Sequence, residues 1–176
     1  IPFKGTVGFL AAPAANALGV LFYGPDSGLV HERAKHIVTQ ILGPDFDPMA
    51  LVDITASQLL SEPALFADEL SAVSLMVQQR VLFIRDAGNK LTKLLDEVEE
   101  LMHADMYVII LAGELGPRDS LRAWAEKSSH IAAIACYHDE QRDVQTIIRE
   151  SLSKAHIQAG SDVVQYLASE LGNDRS

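Results

Sequence analysis

The feature that most constrains this chain is a repeated alternation of short apolar runs with amphipathic stretches. Gly19-Val20-Leu21-Phe22-Tyr23 is β-rich and is closed by the turn-forming Gly24-Pro25-Asp26-Ser27-Gly28. Val30, Ala34, Ile37, Val38 and Ile41 then recur at helical spacing, with Asp26 or Ser27 as N-cap and Gly43-Pro44 as stop. Ala50 to Ile54 reads as a second strand and Thr55 to Leu60 as a short helix. Pro63 opens a further helix, as proline does in a first turn, and Phe66, Leu70 and Val73 mark its buried stripe. Val81-Leu82-Phe83-Ile84 lies in a third strand, Arg80 to Arg85. A helix over Leu91 to Met102, a strand over Met106 to Ala112, a helix over Pro117 to Lys127 and a strand over Ile131 to Tyr137 complete the pattern. Apolar strands that alternate with helices imply a parallel sheet covered on both faces, so the expected fold is α/β, doubly wound, with about five strands.

After Tyr137 the alternation stops. Asp143 to His156 and Ser161 to Leu171 both carry apolar residues at helical spacing, with no strand between them. Two domains are therefore expected: an α/β domain over 1–140, and the first helices of a truncated helical domain over 141–176.

Composition narrows the function. Of 176 residues, 48% are hydrophobic and 22% charged, which fits a globular chain rather than a disordered one. Lys and Arg number 14 against 24 Asp and Glu, a net charge of -10, and the basic residues are dispersed. A free-standing nucleic-acid binder would show the opposite balance. The longest apolar run, Met106 to Ala112, is far short of the ~20 residues of a membrane span. Lys4 is followed by small residues broken by Pro13 and Asn16, which is not a secretory leader. A soluble, cytoplasmic protein is expected. No two histidines stand at metal-ligand spacing, and the single cysteine, Cys136, reads as a buried apolar residue, so neither metal nor cofactor is expected.

Gly24, Pro25, Asp26, Ser27 and Gly28 occupy the place of a phosphate loop between a first strand and its helix. A working loop of this kind is G-x-x-x-x-G-K-[ST]: the backbone wraps the phosphates, lysine neutralises them and the hydroxyl holds Mg²⁺. Here the two glycines are one residue too close, and Leu29 and Val30 replace the lysine and the hydroxyl. The loop reads as degenerate and is not expected to bind nucleotide. Asp86 ends a strand as a Mg²⁺-binding acid would, but Ala87 follows where a water-orienting acid is needed, so Asp86 reads as structural. Asp96-Glu97-Val98-Glu99-Glu100 reads as a solvated helix face, and Trp124 as core.

Ser74, Leu75 and Met76 form the remaining candidate. If the helix from Pro63 continues, ~100° per residue puts Leu75 opposite Phe66 and Met76 on a flank. Adjacent apolar residues exposed at a helix end mark a partner-binding plug. The plainer alternative is that the helix breaks near Ser74 and both side chains turn into the core.

Together these residues resemble the delta subunit of the bacterial DNA polymerase III clamp loader. Val20-Leu21-Phe22-Tyr23-Gly24-Pro25-Asp26-Ser27-Gly28-Leu29-Val30-His31-Glu32-Arg33-Ala34 is similar to that family's first strand, degenerate phosphate loop and helix. Leu59 to Met76 resembles its segment leading into a Ser-Leu-Phe type motif, and Arg80 to Gly88 its following strand. Tyr166 to Asp174 resembles the Gly-Asn/Asp turn of its helical lid. The resemblance implies an AAA+-like fold that has lost ATP binding, followed by the start of a lid domain. It implies a non-catalytic subunit of the polymerase complex that binds and opens the sliding clamp, the beta subunit. It further implies gamma/tau and delta prime as partners, contact with DNA through the assembled complex only, and no membrane. Carried over, the clamp-binding positions are Ser74, Leu75 and Met76, with Met76 where Phe is more usual. Methionine fills irregular pockets but gives up aromatic packing. The runner-up reading is an ATP-binding P-loop-type ATPase or nucleotide sensor. A response-regulator-like domain would need further acids and a strand lysine; Asp53 and Asp86 are the only candidate acids.

Overall fold

In the computed structural model, residues 17–72, 79–137 and 163 are described. The chain divides into two compact units, Ile1–Cys136 and Tyr137–Ser176. The helices expected over 143–156 and 161–171 lie, apart from residue 163, outside the described residues.

Gly19–Tyr23 forms β1, buried along its whole length, and Ser27–Leu42 forms α1. Asp26 caps α1, accepting from the Leu29 N–H at 3.0 Å, and Gly43 ends it with a φ of 86°. A single turn, Pro48–Ala50, leads into β2, Leu51–Thr55. Thr55 and Gln58 make a reciprocal capping box that starts α2, Ala56–Ser61. Pro63 stands in the first turn of α3, Pro63–Ser71. β3 spans Arg80–Ala87, α4 Thr92–Val98, β4 Met106–Ala112, α5 Ser120–Lys127 and β5 Ile131–Ala135.

The five strands form one parallel sheet in the order β2-β3-β4-β1-β5. This order dictates where the helices lie. The step from β1 to β2 runs toward one edge, whereas those from β2 through β5 run the other way. Right-handed crossovers must then place α1 on one face and the later helices on the other. Packing agrees: Val30, Ala34, Ile37 and Val38 of α1 meet Val20, Phe22, Phe83 and Ile109 on one face. Leu59, Phe66, Leu70, Leu95, Leu121 and Trp124 meet Leu21, Leu82, Ile84 and Ile110 on the other. The fold is the doubly wound α/β arrangement expected from the sequence, with five parallel strands.

Several boundaries differ from the sequence reading, most by one or two residues. The helix expected over 91–102 is an α-helical centre, α4, flanked by tight turns over Asn89–Leu91 and Glu99–Leu101. The helix expected from Pro117 begins at Ser120, and the last strand stops at Ala135. Asp96, Glu97 and Glu100 are exposed, but Glu99 turns inward and accepts from the Trp124 indole N–H at 3.2 Å.

Tyr107 of β4 is buried on the α1 face, and its hydroxyl has no hydrogen-bond partner among the described residues. Burial pushes its ionisation above the ordinary tyrosine range. The folded state therefore keeps this proton where the unfolded chain loses it, and stability falls as pH rises above about 10. Tyr107→Phe is expected to leave stability at neutral pH level or raised by about 1 kcal/mol. The variant's advantage should widen above about pH 10, as urea denaturation at the two pH values will show.

Candidate functional site

In an open α/β sheet, the crevice for a ligand lies at the carboxyl ends of strands whose connections leave on opposite faces. Here β1 and β4 are neighbours, and α1 and α5 leave them on opposite faces. Gly24 to Gly28 joins β1 to α1 at that place, so topology and sequence select the same loop.

Several of the polar groups of the loop and of the helix start after it are bonded within the chain. Gly24 donates its N–H to the Gly113 carbonyl at 3.0 Å, tying the ends of β1 and β4 together. On the other side, Cys136 donates to the Tyr23 carbonyl at 2.7 Å, extending the β1–β5 pairing. Gly24 has a φ of 153°, and a Cβ there would collide with the Cys136 carbonyl oxygen. A phosphate at a helix start needs free N–H groups of the first turn. Of these groups the Leu29 N–H is taken by the Asp26 carboxylate, while the Val30 N–H makes the first regular bond of the helix, to the Asp26 carbonyl at 3.0 Å. A built-in carboxylate thus stands where an incoming anion would be held.

Nearby cations are likewise engaged. Arg33 of α1 donates from Nη1 to the Ala135 carbonyl at 3.0 Å and lies 3.7 Å from Cys136 Sγ. Arg122 of α5 lies 5.1 Å from the Tyr23 ring centroid, pairs with Glu126 at 2.7 Å and donates to the Leu115 carbonyl at 3.3 Å. Asp86 is exposed and adopts a φ of 56° where the β3–β4 register shifts between Ile84 and Ala87. Aspartate tolerates this left-handed conformation better than most residues. Asp53, on the edge strand β2, binds Arg85 at 2.6 Å. No group of three or more potential metal ligands occurs among the described residues.

One polar network at this edge escaped the sequence reading. Asn89 donates to the Asp119 carboxylate at 2.7 Å, and its carbonyl accepts from the Leu121 N–H at 3.2 Å, capping α5 from another loop. Hydrogen bonds from Asn89 and from the Gly116 N–H hold the Asp119 carboxyl below its ordinary range. A polar residue after a strand was the only signal available.

Ser74, Leu75 and Met76 lie outside the described residues. Their border is described: α3 ends at Ser71, and Ala72 is extended, with φ -67° and ψ 116°. The helical phase counted from Phe66 therefore stops before these positions.

The family model described as DNA polymerase III, delta subunit, matches residues 20–135. The chain belongs to the DNA polymerase III delta subunit family. Within this family, it is 22% identical over 167 residues to a probable DNA polymerase III subunit delta from Rickettsia prowazekii, covering 93% of this chain and 48% of that protein. The fold matches the Bacillus subtilis DNA clamp loader delta protein with a TM-score of 0.64 at 12% identity, over 93% of this chain and 50% of that one. It also matches a DNA polymerase III gamma subunit-related protein from Thermotoga maritima, with a TM-score of 0.50 at 10% identity, over 94% of this chain and 57% of that one. The chain thus spans about half the length of the delta-family proteins it matches.

Because the Cys136 backbone abuts Gly24, a single methyl tests how tightly this delta-family loop is closed. Gly24→Ala is expected to destabilise the domain by roughly 1–3 kcal/mol from backbone strain alone. The collision adds to that, and chemical denaturation reads the sum.

Proposed function

We propose that this chain is the clamp-opening part of a clamp loader, acting by binding rather than catalysis. It engages the sliding clamp through Leu75 and Met76, with Ser74 beside them, and neither binds nor hydrolyses ATP. Membership of the delta family supports the partner. The observation that carries the mechanism is the Asp26 carboxylate on the Leu29 N–H, at the start of the helix where a P-loop protein would hold phosphate.

Burying one leucine and one methionine in a clamp pocket supplies on the order of 3–6 kcal/mol before ordering costs. A ligand that binds an open ring interface more tightly than a closed one shifts the ring toward opening. Other clamp-loader subunits, gamma/tau and delta prime, would provide ATP-driven motion and contact with DNA. The net charge of -10 suits a part that grips protein in the cytoplasm rather than nucleic acid. Among the described residues, no helix is long and apolar enough to cross a membrane.

The double variant Leu75→Ala, Met76→Ala is expected to lower affinity for the purified cognate clamp by about a hundredfold or more, the share of those side chains. Its melting temperature should be unchanged. Surface plasmon resonance at equal protein activity checks this, and undiminished binding would remove the site.

A further inference from the structure

The last peptide group of the first compact unit is gripped from both sides. That unit ends at Cys136. The Cys136 N–H donates to the Tyr23 carbonyl of β1 at 2.7 Å. A trans peptide points its carbonyl opposite to its N–H, so the Ala135 carbonyl faces away from β1. On that side β5 has no strand neighbour among the described residues. Arg33 reaches this carbonyl instead: its Nη1 donates to Ala135 O at 3.0 Å and lies 3.7 Å from Cys136 Sγ. Arg33 is carried by α1, which packs on the sheet through Val30, Ala34, Ile37 and Val38. Gly24 lies so close that a Cβ would meet the Cys136 carbonyl, so the end of β5 also touches the loop before α1. The Cys136 side chain is fully buried among these contacts.

We propose that Arg33 is a brace that fixes the direction in which the chain leaves the first unit, a conformational device that needs no bound ligand. A carbonyl at a sheet edge is readily served by water, so this bond adds little to global stability. Its effect is local. The guanidinium is a planar, pre-organised fork, and holding two neighbouring atoms of the last peptide group restricts that group to one orientation. Without the fork, the end of β5 can peel from the sheet while the core stays folded, as sub-global openings do. The brace also joins the exit to the start of α1, so that the closed loop and the exit form one piece of the same unit.

The chain's single cysteine reports on the brace directly. The 176-residue chain is labelled with iodoacetamide at urea concentrations below the unfolding transition, and its global stability is measured by urea denaturation alongside. In the wild type, Cys136 is expected to react only through global unfolding, so its labelling rate should rise steeply with urea. Arg33→Met keeps much of the apolar stem and removes the donors. It should speed labelling without urea by about tenfold or more beyond what its change in global stability accounts for, with a shallow dependence on urea. Labelling of Arg33→Met that follows global stability, with the steep dependence of the wild type, would overturn the proposal. So would a shallow dependence in the wild type, because the end of β5 would then open in spite of the brace. Should Arg33→Met fail to fold, Arg33→Gln carries the test: the same local opening is expected, and labelling that follows global stability would overturn the role of the guanidinium.

Discussion

The interaction on which this edge of the structure depends is the bond from the Leu29 N–H to the Asp26 carboxylate. It starts α1, fixes the direction in which the chain leaves β1, and places a negative charge at a helix end that would otherwise attract one. Gly24 completes the closure because only a residue without a side chain fits against the Cys136 backbone at that φ. The loop between β1 and α1 is thereby made part of the packed structure, although the topology around it is that of a ligand crevice.

A family in which that crevice holds no nucleotide would be left with the rigidity of the scaffold. The sheet buries apolar side chains on both faces, and its two edges present different chemistry. At the carboxyl edge, Arg33, Arg122, Asn89 and Asp119 are used to hold elements together. At the amino edge, the His103–Asp105 turn and the Glu69–Arg80 pair tie the end of α3 to the start of β3. On the proposed reading, the work of the protein is differential binding between two states of a ring.

Most of the fold was legible because its signals are local. Asp26 before α1, Gly43 after it, Thr55 with Gln58 at α2 and Pro63 at α3 all act within a few residues of themselves. What could not be read depends on contacts distant in sequence. The cap of α5 comes from Asn89, and the end of α3 is met by His103, 33 residues away. Nothing between Phe66 and Met76 announces a stop by glycine or proline, so periodicity alone ran past Ser71. The stretch over 91–102 is apolar at helical spacing, yet its ends tighten into short turns. At the candidate site, the loss of a P-loop pattern was visible in Leu29 and Val30, whereas the occupation of the Leu29 N–H by Asp26 required the geometry.

Calorimetric titration of the purified chain with Mg-ATP tests the central claim most directly. A loop whose first-turn N–H is already bonded to a carboxylate should give no saturable heat and no rise in melting temperature at millimolar nucleotide. A saturable isotherm that disappears when Gly28 is replaced by a bulky residue would contradict it, and would return the loop to the service of phosphate.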